Sequence, residues 1–206
     1  MKKSNEMQSC KVTLIGDSGV GKTAIIGRYI SGFFQDIDMT STNASYSKKI
    51  HEYKGKKVRM DIWDTVGQEK YRSLGINFYK NSYIIILIYD ITTKETFENI
   101  KNIWYPQVKQ YGEQYHILAL VGNKADKFEL EAVKDEEAKE FADEIGAQYF
   151  QVSAKSGAGI NYMFEILGNL FLDPEFSDKI KDQEECKRGS IVLNRIEKKK
   201  GCSCNK

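Results

Sequence analysis

A chain of 206 residues that is 41% hydrophobic and 12% aromatic can bury one substantial core, so we expect one main domain. The formal net charge is +2, but residues 179–206 carry nine Lys and Arg against four Asp and Glu, which leaves −3 on residues 1–178. A nucleic-acid-binding domain is normally basic, so this distribution argues against a nucleic-acid partner. No apolar run has transmembrane length, and no secretory segment is expected. The cysteines lack the spacing of a metal site or disulfide framework, which favours a reducing, cytosolic compartment.

The first motif along the chain lies at residues 16–23, which fit the phosphate-binding pattern G-x-x-x-x-G-K-[ST]. Its glycines let successive backbone N–H groups converge on phosphate oxygens. Lys22 supplies positive charge for the β- and γ-phosphates, and the Thr23 hydroxyl suits Mg²⁺. The β-branched run Lys11–Ile15 before the loop fits a buried strand, and Thr23–Ile30 after it can form a helix. The sequence therefore predicts a nucleotide-binding P-loop.

Apolar runs alternate with helix-period segments along most of the chain. The predicted strands are Lys11–Ile15, Ser45–Tyr53, Lys57–Trp63, Tyr83–Tyr89, Ile117–Val121 and Gln148–Val152. The predicted helices are Thr23–Ile30, Thr93–Gln110, Asp135–Ile145 and Ile160–Phe171. A turn at residues 54–56 makes the second and third strands an antiparallel hairpin. The expected fold class is therefore α/β, a three-layer P-loop fold whose six-stranded, mostly parallel sheet carries helices on both faces.

Two further segments are expected beside the P-loop. The long polar stretch Ser31–Ala44 has the length of a functional loop, although a passive loop has the same composition. The third strand runs into Asp64-Thr65-Val66-Gly67-Gln68, where Asp64 is placed to hold Mg²⁺ directly or through water. The Gly67 N–H can approach a terminal phosphate, and Gln68 can both donate and accept a hydrogen bond, as orienting an attacking water requires. Alone, the same segment is also consistent with a capped strand-to-helix turn.

The last two motifs predict which base is bound. The fifth strand leads into Asn123-Lys124-Ala125-Asp126, and the Asp126 carboxylate can accept two hydrogen bonds from the ring N–H and amine of guanine. Adenine lacks this pair of donors, so Asp126 favours GTP over ATP. After the sixth strand, Ser153-Ala154-Lys155 offers a backbone N–H to the guanine carbonyl, and Lys155 can pack along the base. Each motif alone is weak evidence for guanine binding, because a polar turn after a strand has the same composition.

With these motifs in this order, the chain resembles the small GTPases of the Ras superfamily and, within them, the Rab family as a divergent member. The resemblance covers residues 9 to about 172 and includes Rab-like runs at residues 62–65, 68–73, 78–80 and 89–92. It implies a GTP/GDP switch with slow hydrolysis that regulates vesicle traffic. It also implies that GTP and GDP are contacted by a set of loop residues: Asp17, Ser18, Gly19, Val20, Gly21, Lys22, Thr23, Ala24, Phe34, Ser41, Gly67, Asn123, Lys124, Asp126, Ser153, Ala154 and Lys155. Gln68 is the implied catalytic residue, and Thr23, Ser41 and Asp64 are the implied Mg²⁺ ligands.

The resemblance also implies partners. Tyr46, Trp63 and Tyr79 fall on the aromatic triad that contacts Rab effectors, although each can also pack into a core, and Trp63 taken alone favours core packing. An exchange factor, a GTPase-activating protein, a prenylation escort and a GDP-dissociation inhibitor are expected from the family. The implied location is the cytoplasmic face of an intracellular membrane, with cycling through the cytosol.

The chain departs from the family pattern at two positions near the γ-phosphate. Ser41 stands where the family has a threonine that binds Mg²⁺, and a shift of one residue would use Thr42 instead. Val66 stands where the family has alanine, and this β-branched side chain is expected to slow the second switch. The polar segment at residues 40–46 makes the usual Rab effectors doubtful. These departures leave a second hypothesis open, a nucleotide-bound effector-binding scaffold with little hydrolysis, whereas Asp126 argues against a third, an ATP-dependent P-loop kinase.

The expected domain arrangement is a GTPase domain at residues 9–173 and a flexible basic tail at 174–206. The tail ends in Lys198-Lys199-Lys200-Gly201-Cys202-Ser203-Cys204-Asn205-Lys206. This is consistent with a solvated charged end with two free thiols. The resemblance to Rab tails instead implies geranylgeranyl groups on Cys202 and Cys204, and two lipid chains beside a basic patch give stable membrane anchoring.

Overall fold

The computed structural model describes residues 7–34, 45–64 and 80–180. They form one six-stranded sheet with the strand order β2-β3-β1-β4-β5-β6. The strands are β1 (Gln8–Ile15), β2 (Ser45–Tyr53), β3 (Lys56–Asp64), β4 (Ile84–Asp90), β5 (Ile117–Asn123) and β6 (Gln148–Gln151). Only β2 runs antiparallel to its neighbour, and every other pairing within the sheet is parallel. The predicted fold class is confirmed.

The hairpin between β2 and β3 forms where the sequence predicted it. Lys54 and Gly55 connect the two strands with φ angles of 49° and 75°. A two-residue hairpin loop of type I′ requires positive φ at both central positions, and glycine accepts this without steric cost. The register that follows sets Tyr46 opposite Trp63 and Tyr53 opposite Lys56.

Helices connect the parallel strands. They are α1 (Lys22–Ser31), α2 (Lys94–Asn99), α3 (Tyr105–Tyr111), α4 (Asp135–Glu144) and α5 (Ile160–Leu172), with a 3₁₀ helix at Ala125–Leu130. The single helix predicted over Thr93–Gln110 is interrupted by a π-helical stretch, Ile100–Trp104, between α2 and α3. There the Tyr105 N–H donates to the carbonyl of Ile100, five residues back rather than four. Hydrophobic periodicity does not reveal such a single extra residue, so the prediction was wrong at this point.

The two faces of the sheet bury separate layers of the core. Successive side chains of the fully buried β4 point to opposite faces. Ile85, Leu87 and Tyr89 pack with Phe97 and Phe141 from the helices α2 and α4. On the other face, α1 meets α5, and the rings of Tyr29 and Phe164 stack with centroids 3.8 Å apart. Each large apolar side chain buried in this way stabilises the fold by about 1.5–3 kcal/mol.

The chain divides into two compact units, Met1–Leu172 and Asp173–Lys206. Of the second unit the structure describes residues 173–180, which are helical from 174 to 180 and carry an ion pair between Lys179 and Glu175. None of the helices among the described residues has the length and apolarity that crossing a membrane would need.

Parallel strands direct their carboxyl ends to a common edge of the sheet. Leu14 of β1 lies beside Asp64 of β3, and Asp90 of β4 lies beside Asn123 of β5. The segments that carry the predicted motifs leave the sheet at this edge, where ligands of open α/β sheets bind.

Candidate nucleotide-binding site

The loop between β1 and α1 depends on glycine at defined positions. Gly16, Gly19 and Gly21 have φ angles of 149°, 77° and 96°. A Cβ atom on Gly16 would lie 2.1 Å from the carbonyl oxygen of Ile88, and one on Gly21 would lie 2.3 Å from Asn123 Nδ2. Neither position therefore has room for a side chain. Ser18 and Gly19, between these glycines, are exposed, as a loop that meets a ligand requires.

Lys22 is held inside this loop. Its Nζ donates to the carbonyl oxygens of Gly16 at 2.8 Å and Asp17 at 2.6 Å, and the residue is 6% exposed. Burial lowers the pKa of the ammonium to about 8, although the nearby carboxylates of Asp64 and Asp17 favour the charged form. The loop thus holds a partly desolvated cation, which an anion such as phosphate would stabilise.

Thr23 and Asp64 meet at the first turn of α1. The Thr23 hydroxyl donates to Asp64 Oδ2 at 2.6 Å, and Asp64 is 1% exposed at the end of β3. A hydroxyl and a carboxylate are the hard oxygen ligands that Mg²⁺ prefers, commonly one or two from the protein with the rest from water and phosphate. No cluster of three or more His, Cys, Asp or Glu side chains comes together within 7–34, 45–64 and 80–180.

Asn123 joins the P-loop to the last motif. Its Nδ2 donates to the carbonyl of Val20 at 2.7 Å, and its Oδ1 accepts from the Ala154 N–H at 3.2 Å. The side chain is 1% exposed, so both hydrogen bonds are shielded from water. The Ala154 N–H, one of the amides expected to meet the guanine carbonyl, is thus already directed to Asn123.

Lys124 follows Asn123 with a left-handed backbone, φ 67°, and its Nζ lies 2.5 Å from Asp90 Oδ2. Burial alone would raise the pKa of Asp90, but hydrogen bonds from Lys124 and Thr92 outweigh it and lower that pKa below its ordinary value. The ion pair fixes the first turn of the segment that carries Asp126.

Asp126 is exposed and oriented by its neighbour. The Ser153 hydroxyl donates to Asp126 Oδ1 at 2.6 Å, and the Ser153 oxygen in turn accepts from the Ser156 N–H at 3.0 Å. Lys155 is exposed on the same loop. The structure therefore brings the last two predicted motifs together, with a carboxylate held at the surface beside a lysine.

Arg28 contacts this loop from the last turn of α1. Its Nε donates to the carbonyl of Ala154 at 2.9 Å, one terminal nitrogen donates to the carbonyl of Lys155, and the other donates to Gly32 at 2.9 Å. The guanidinium carbon lies 6.0 Å from the centre of the Phe34 ring. Sequence reasoning did not identify this residue, and the only signal for it is one arginine within the mostly apolar run from Ala24 to Ile30.

Two hydrogen bonds that the sequence did not predict hold the side chain of Asp17. Trp104 Nε1 donates to its Oδ1 at 2.8 Å, and Asn99 Nδ2 donates to its Oδ2 at 2.7 Å. The carboxylate is therefore engaged with the helical segment after β4. Ala24, next to the P-loop, is half-buried in α1.

Two residues of the predicted aromatic triad are adjacent on the hairpin. The Tyr46 and Trp63 rings have centroids 5.1 Å apart, and Tyr46 is 43% exposed. The Tyr46 hydroxyl donates to Asp61 Oδ1 at 2.7 Å. This aromatic pair therefore lies at the surface and not within the core.

Several predicted positions lie outside the described residues, and their roles stay predictions. They are Ser41, Thr42, Val66, Gly67, Gln68, Tyr79, Cys202 and Cys204.

Comparison with known proteins agrees with this geometry. The sequence pattern of the Ras family matches residues 11–172. The chain is 39% identical over 155 residues to Ras-related protein Rab-26 of Rattus norvegicus, a match that covers 75% of this chain and 60% of the relative. It is 37% identical over 158 residues to Ras-related protein Rab-22A of Homo sapiens, covering 77% and 81% respectively. With Ras-related protein SEC4 of Saccharomyces cerevisiae the identity is 35% over 184 residues, covering 89% and 85%.

The predicted divergent Rab-type GTPase is thereby confirmed, and the scaffold with little hydrolysis is not favoured. The chain belongs to the Ras family as a Rab-like small GTPase, a GTP/GDP switch of the class that acts in vesicle traffic.

Proposed function

We propose that the carboxyl edge of the sheet binds GTP and GDP, with the phosphates on the P-loop and the base on Asp126. The observation that carries this proposal is the Asn123 side chain, whose two hydrogen bonds connect the P-loop at Val20 to the base loop at Ala154. A ligand with a phosphate at one end and a guanine at the other would contact both loops at once. Lys22 then neutralises phosphate charge, and the Asp126 carboxylate accepts from the two guanine donors.

Mass analysis of small molecules released from the purified protein tests this assignment. We expect GDP or GTP, and we expect competition by guanine nucleotides but not by adenine nucleotides. Adenine nucleotides competing equally would contradict the role of Asp126.

Mg²⁺ is the cofactor that fits the donors at the start of α1. Thr23 and Asp64 would hold it, with Ser41 as a further ligand from the first switch, and when bound it supplies charge neutralisation on the phosphates. Chelation with EDTA is expected to accelerate nucleotide release in wild type. This acceleration should be much smaller in Asp64→Ala, whose release is already fast without the chelator.

Gln68 is proposed to orient the water that attacks the γ-phosphate. Intrinsic hydrolysis in this superfamily is slow, about 10⁻⁴ s⁻¹, and an arginine supplied by an activating protein adds roughly 10⁵-fold. We expect a slow intrinsic rate here, slowed further by Ser41 and Val66. Single-turnover GTP cleavage should be slower in Gln68→Leu than in wild type, and equal rates would contradict this role of Gln68.

The proposed readout of the switch is effector binding at the surface of Tyr46 and Trp63, together with Tyr79. GTP and Mg²⁺ would order the loops around Ser31–Ala44 and Gly67–Tyr79, and hydrolysis would release them. An exchange factor and a GTPase-activating protein are the expected regulators of a switch this slow. Capture of effectors by GTP-loaded protein should weaken in Tyr46→Ala, with nucleotide binding unchanged.

Membrane attachment is proposed through geranylgeranyl groups on Cys202 and Cys204, with the basic residues 198–200 beside them. A prenylation escort and a GDP-dissociation inhibitor would then carry the protein between the cytosol and the cytoplasmic face of a membrane, in support of a role in vesicle traffic. Intact mass of protein isolated from cells is expected to show two lipid groups. Two unmodified thiols would overturn this part of the proposal.

A further inference from the structure

The helical segment after β4 contains a local irregularity that faces the P-loop. The stretch Ile100–Trp104 is π-helical, and the Tyr105 N–H donates to the carbonyl of Ile100. Such single π turns inside helices are uncommon and often coincide with functional sites. The irregularity therefore calls for a physical explanation at this position.

The π turn changes which side chains share a face of the helix. In a regular α-helix, residues five positions apart are rotated by about 140° around the axis, so they point in different directions. In a π turn the hydrogen bond joins residues five apart, which brings the side chains of such a pair to nearly the same side. Asn99 and Trp104 are five apart: Asn99 immediately precedes this stretch, and Trp104 is its last residue.

Both side chains meet one carboxylate of the P-loop. Asn99 Nδ2 donates to Asp17 Oδ2 at 2.7 Å, and Trp104 Nε1 donates to Asp17 Oδ1 at 2.8 Å. Each oxygen of Asp17 thus has its own donor. Trp104 is also anchored, since it packs against the buried cluster that contains Leu87 and Phe97. The π turn is what allows one helix to supply both donors.

The peptide that this carboxylate fixes is part of the phosphate loop. The carbonyl of Asp17 accepts from Lys22 Nζ at 2.6 Å, and Gly16 before it and Gly19 after it both require positive φ. A loop of this kind loses much backbone freedom when it is ordered. Holding it in advance therefore favours phosphate binding.

We propose that Asn99 and Trp104 are positioning residues of the nucleotide site, which brace the P-loop through Asp17 and so slow nucleotide release. The π turn directs the Asn99 and Trp104 donors to the Asp17 carboxylate. This inference rests on the proposed assignment of the P-loop as the phosphate site.

Release of fluorescently labelled GDP from the full chain, chased with excess GDP, tests the brace. We expect Asn99→Ala and Trp104→Phe each to release GDP roughly ten-fold faster, which corresponds to about 1.4 kcal/mol. Asp17→Ala should release it at least as fast, and adding Asn99→Ala to it should change nothing further, because the partner is already gone. Asn102→Ala, an exposed residue of the same π turn, is the matched control and should release GDP at the wild-type rate.

A second readout separates positioning from general support of the fold. The chain has two tryptophans, so Trp63→Phe leaves Trp104 as the single emitting indole. In that background we expect Trp104 emission to change when nucleotide is removed, and Asp17→Ala to abolish the change.

Three results would overturn the brace. They are wild-type release in both Asn99→Ala and Trp104→Phe, faster release that only follows a lower melting temperature, and equal acceleration in Asn102→Ala. Failure of the chain to bind any guanine nucleotide would instead contradict the P-loop assignment, and this inference would fall with it.

Discussion

Replacing Arg28 is expected to weaken nucleotide binding from the base side of the site. Arg28 donates to the carbonyls of Ala154, Lys155 and Gly32, and so ties the base loop to the end of α1. A hydrogen bond to a charged group contributes about 1.5–3 kcal/mol when well formed. Part of the Arg28 side chain is exposed, so water compensates for some of the lost hydrogen bonding. We therefore expect the three hydrogen bonds together to contribute about 1.5–3 kcal/mol.

In Arg28→Met this loss should appear as labelled-GDP release that is roughly ten- to a hundred-fold faster than in wild type. Arg28→Lys should recover little of it, because one ammonium cannot reach three carbonyls as the planar guanidinium does. Lys109→Met removes an exposed positive charge from α3 and serves as the control for net charge. Release at the wild-type rate in Arg28→Met, with the protein folded, would refute the reasoning.

Three other predictions follow from particular contacts. Gly21→Ala should abolish tight GDP binding in an equilibrium titration, because its Cβ would lie 2.3 Å from Asn123 Nδ2. Gly27→Ala is the control, because a Cβ there has no other atom within 4 Å. It should bind GDP normally and raise the free energy of unfolding by about 0.5–1 kcal/mol. Asp126→Asn should lose affinity for GTP by about 2 kcal/mol or more and gain affinity for xanthosine triphosphate in the same titration, because the amide offers a donor where the carboxylate accepts. Burial raises the pKa of Tyr29 to about 12, so its unfolded form loses the proton first and stability falls as pH rises from 10 to 12. Tyr29→Phe should match the unfolding free energy of wild type within about 0.5 kcal/mol at pH 7 but exceed it by about 1.4 kcal/mol at pH 11. Parallel pH profiles would contradict this.

The parts of the fold that the sequence predicted are those that local chemistry decides. The structure has the predicted strand Ser45–Tyr53 with the same bounds, since side-chain alternation and the Lys54-Gly55 turn act within a few residues. The π turn was missed because one extra residue in a helix leaves the apolar pattern nearly unchanged.

The candidate site divides in the same way. Its motif residues are recognisable because each must meet the ligand with a fixed chemistry at a fixed spacing. The residues that support the motifs are not recognisable, because their partners lie far away in the sequence. Arg28 and Ala154 are 126 positions apart, and Asn99 and Asp17 are 82 apart. Only the folded chain identifies those partners.

The contacts of Ala154 predict how substitutions of the supporting residues combine. Its N–H donates to Asn123 and its carbonyl accepts from Arg28, so two side chains hold the two successive peptide groups of one residue. Asn99 acts elsewhere, on Asp17. Mutations that share a contact combine non-additively, whereas those without shared partners add within about 0.5 kcal/mol.

Nucleotide release should therefore show two kinds of coupling. In double-mutant cycles, Arg28→Met and Asn123→Ala are expected to combine to less than the sum of their separate effects, because either change alone already loosens the backbone at Ala154. Arg28→Met and Asn99→Ala should add, because one loosens the base loop and the other the P-loop. Additivity in the first pair, or strong coupling in the second, would show that the two loops do not respond to their supports as this geometry requires.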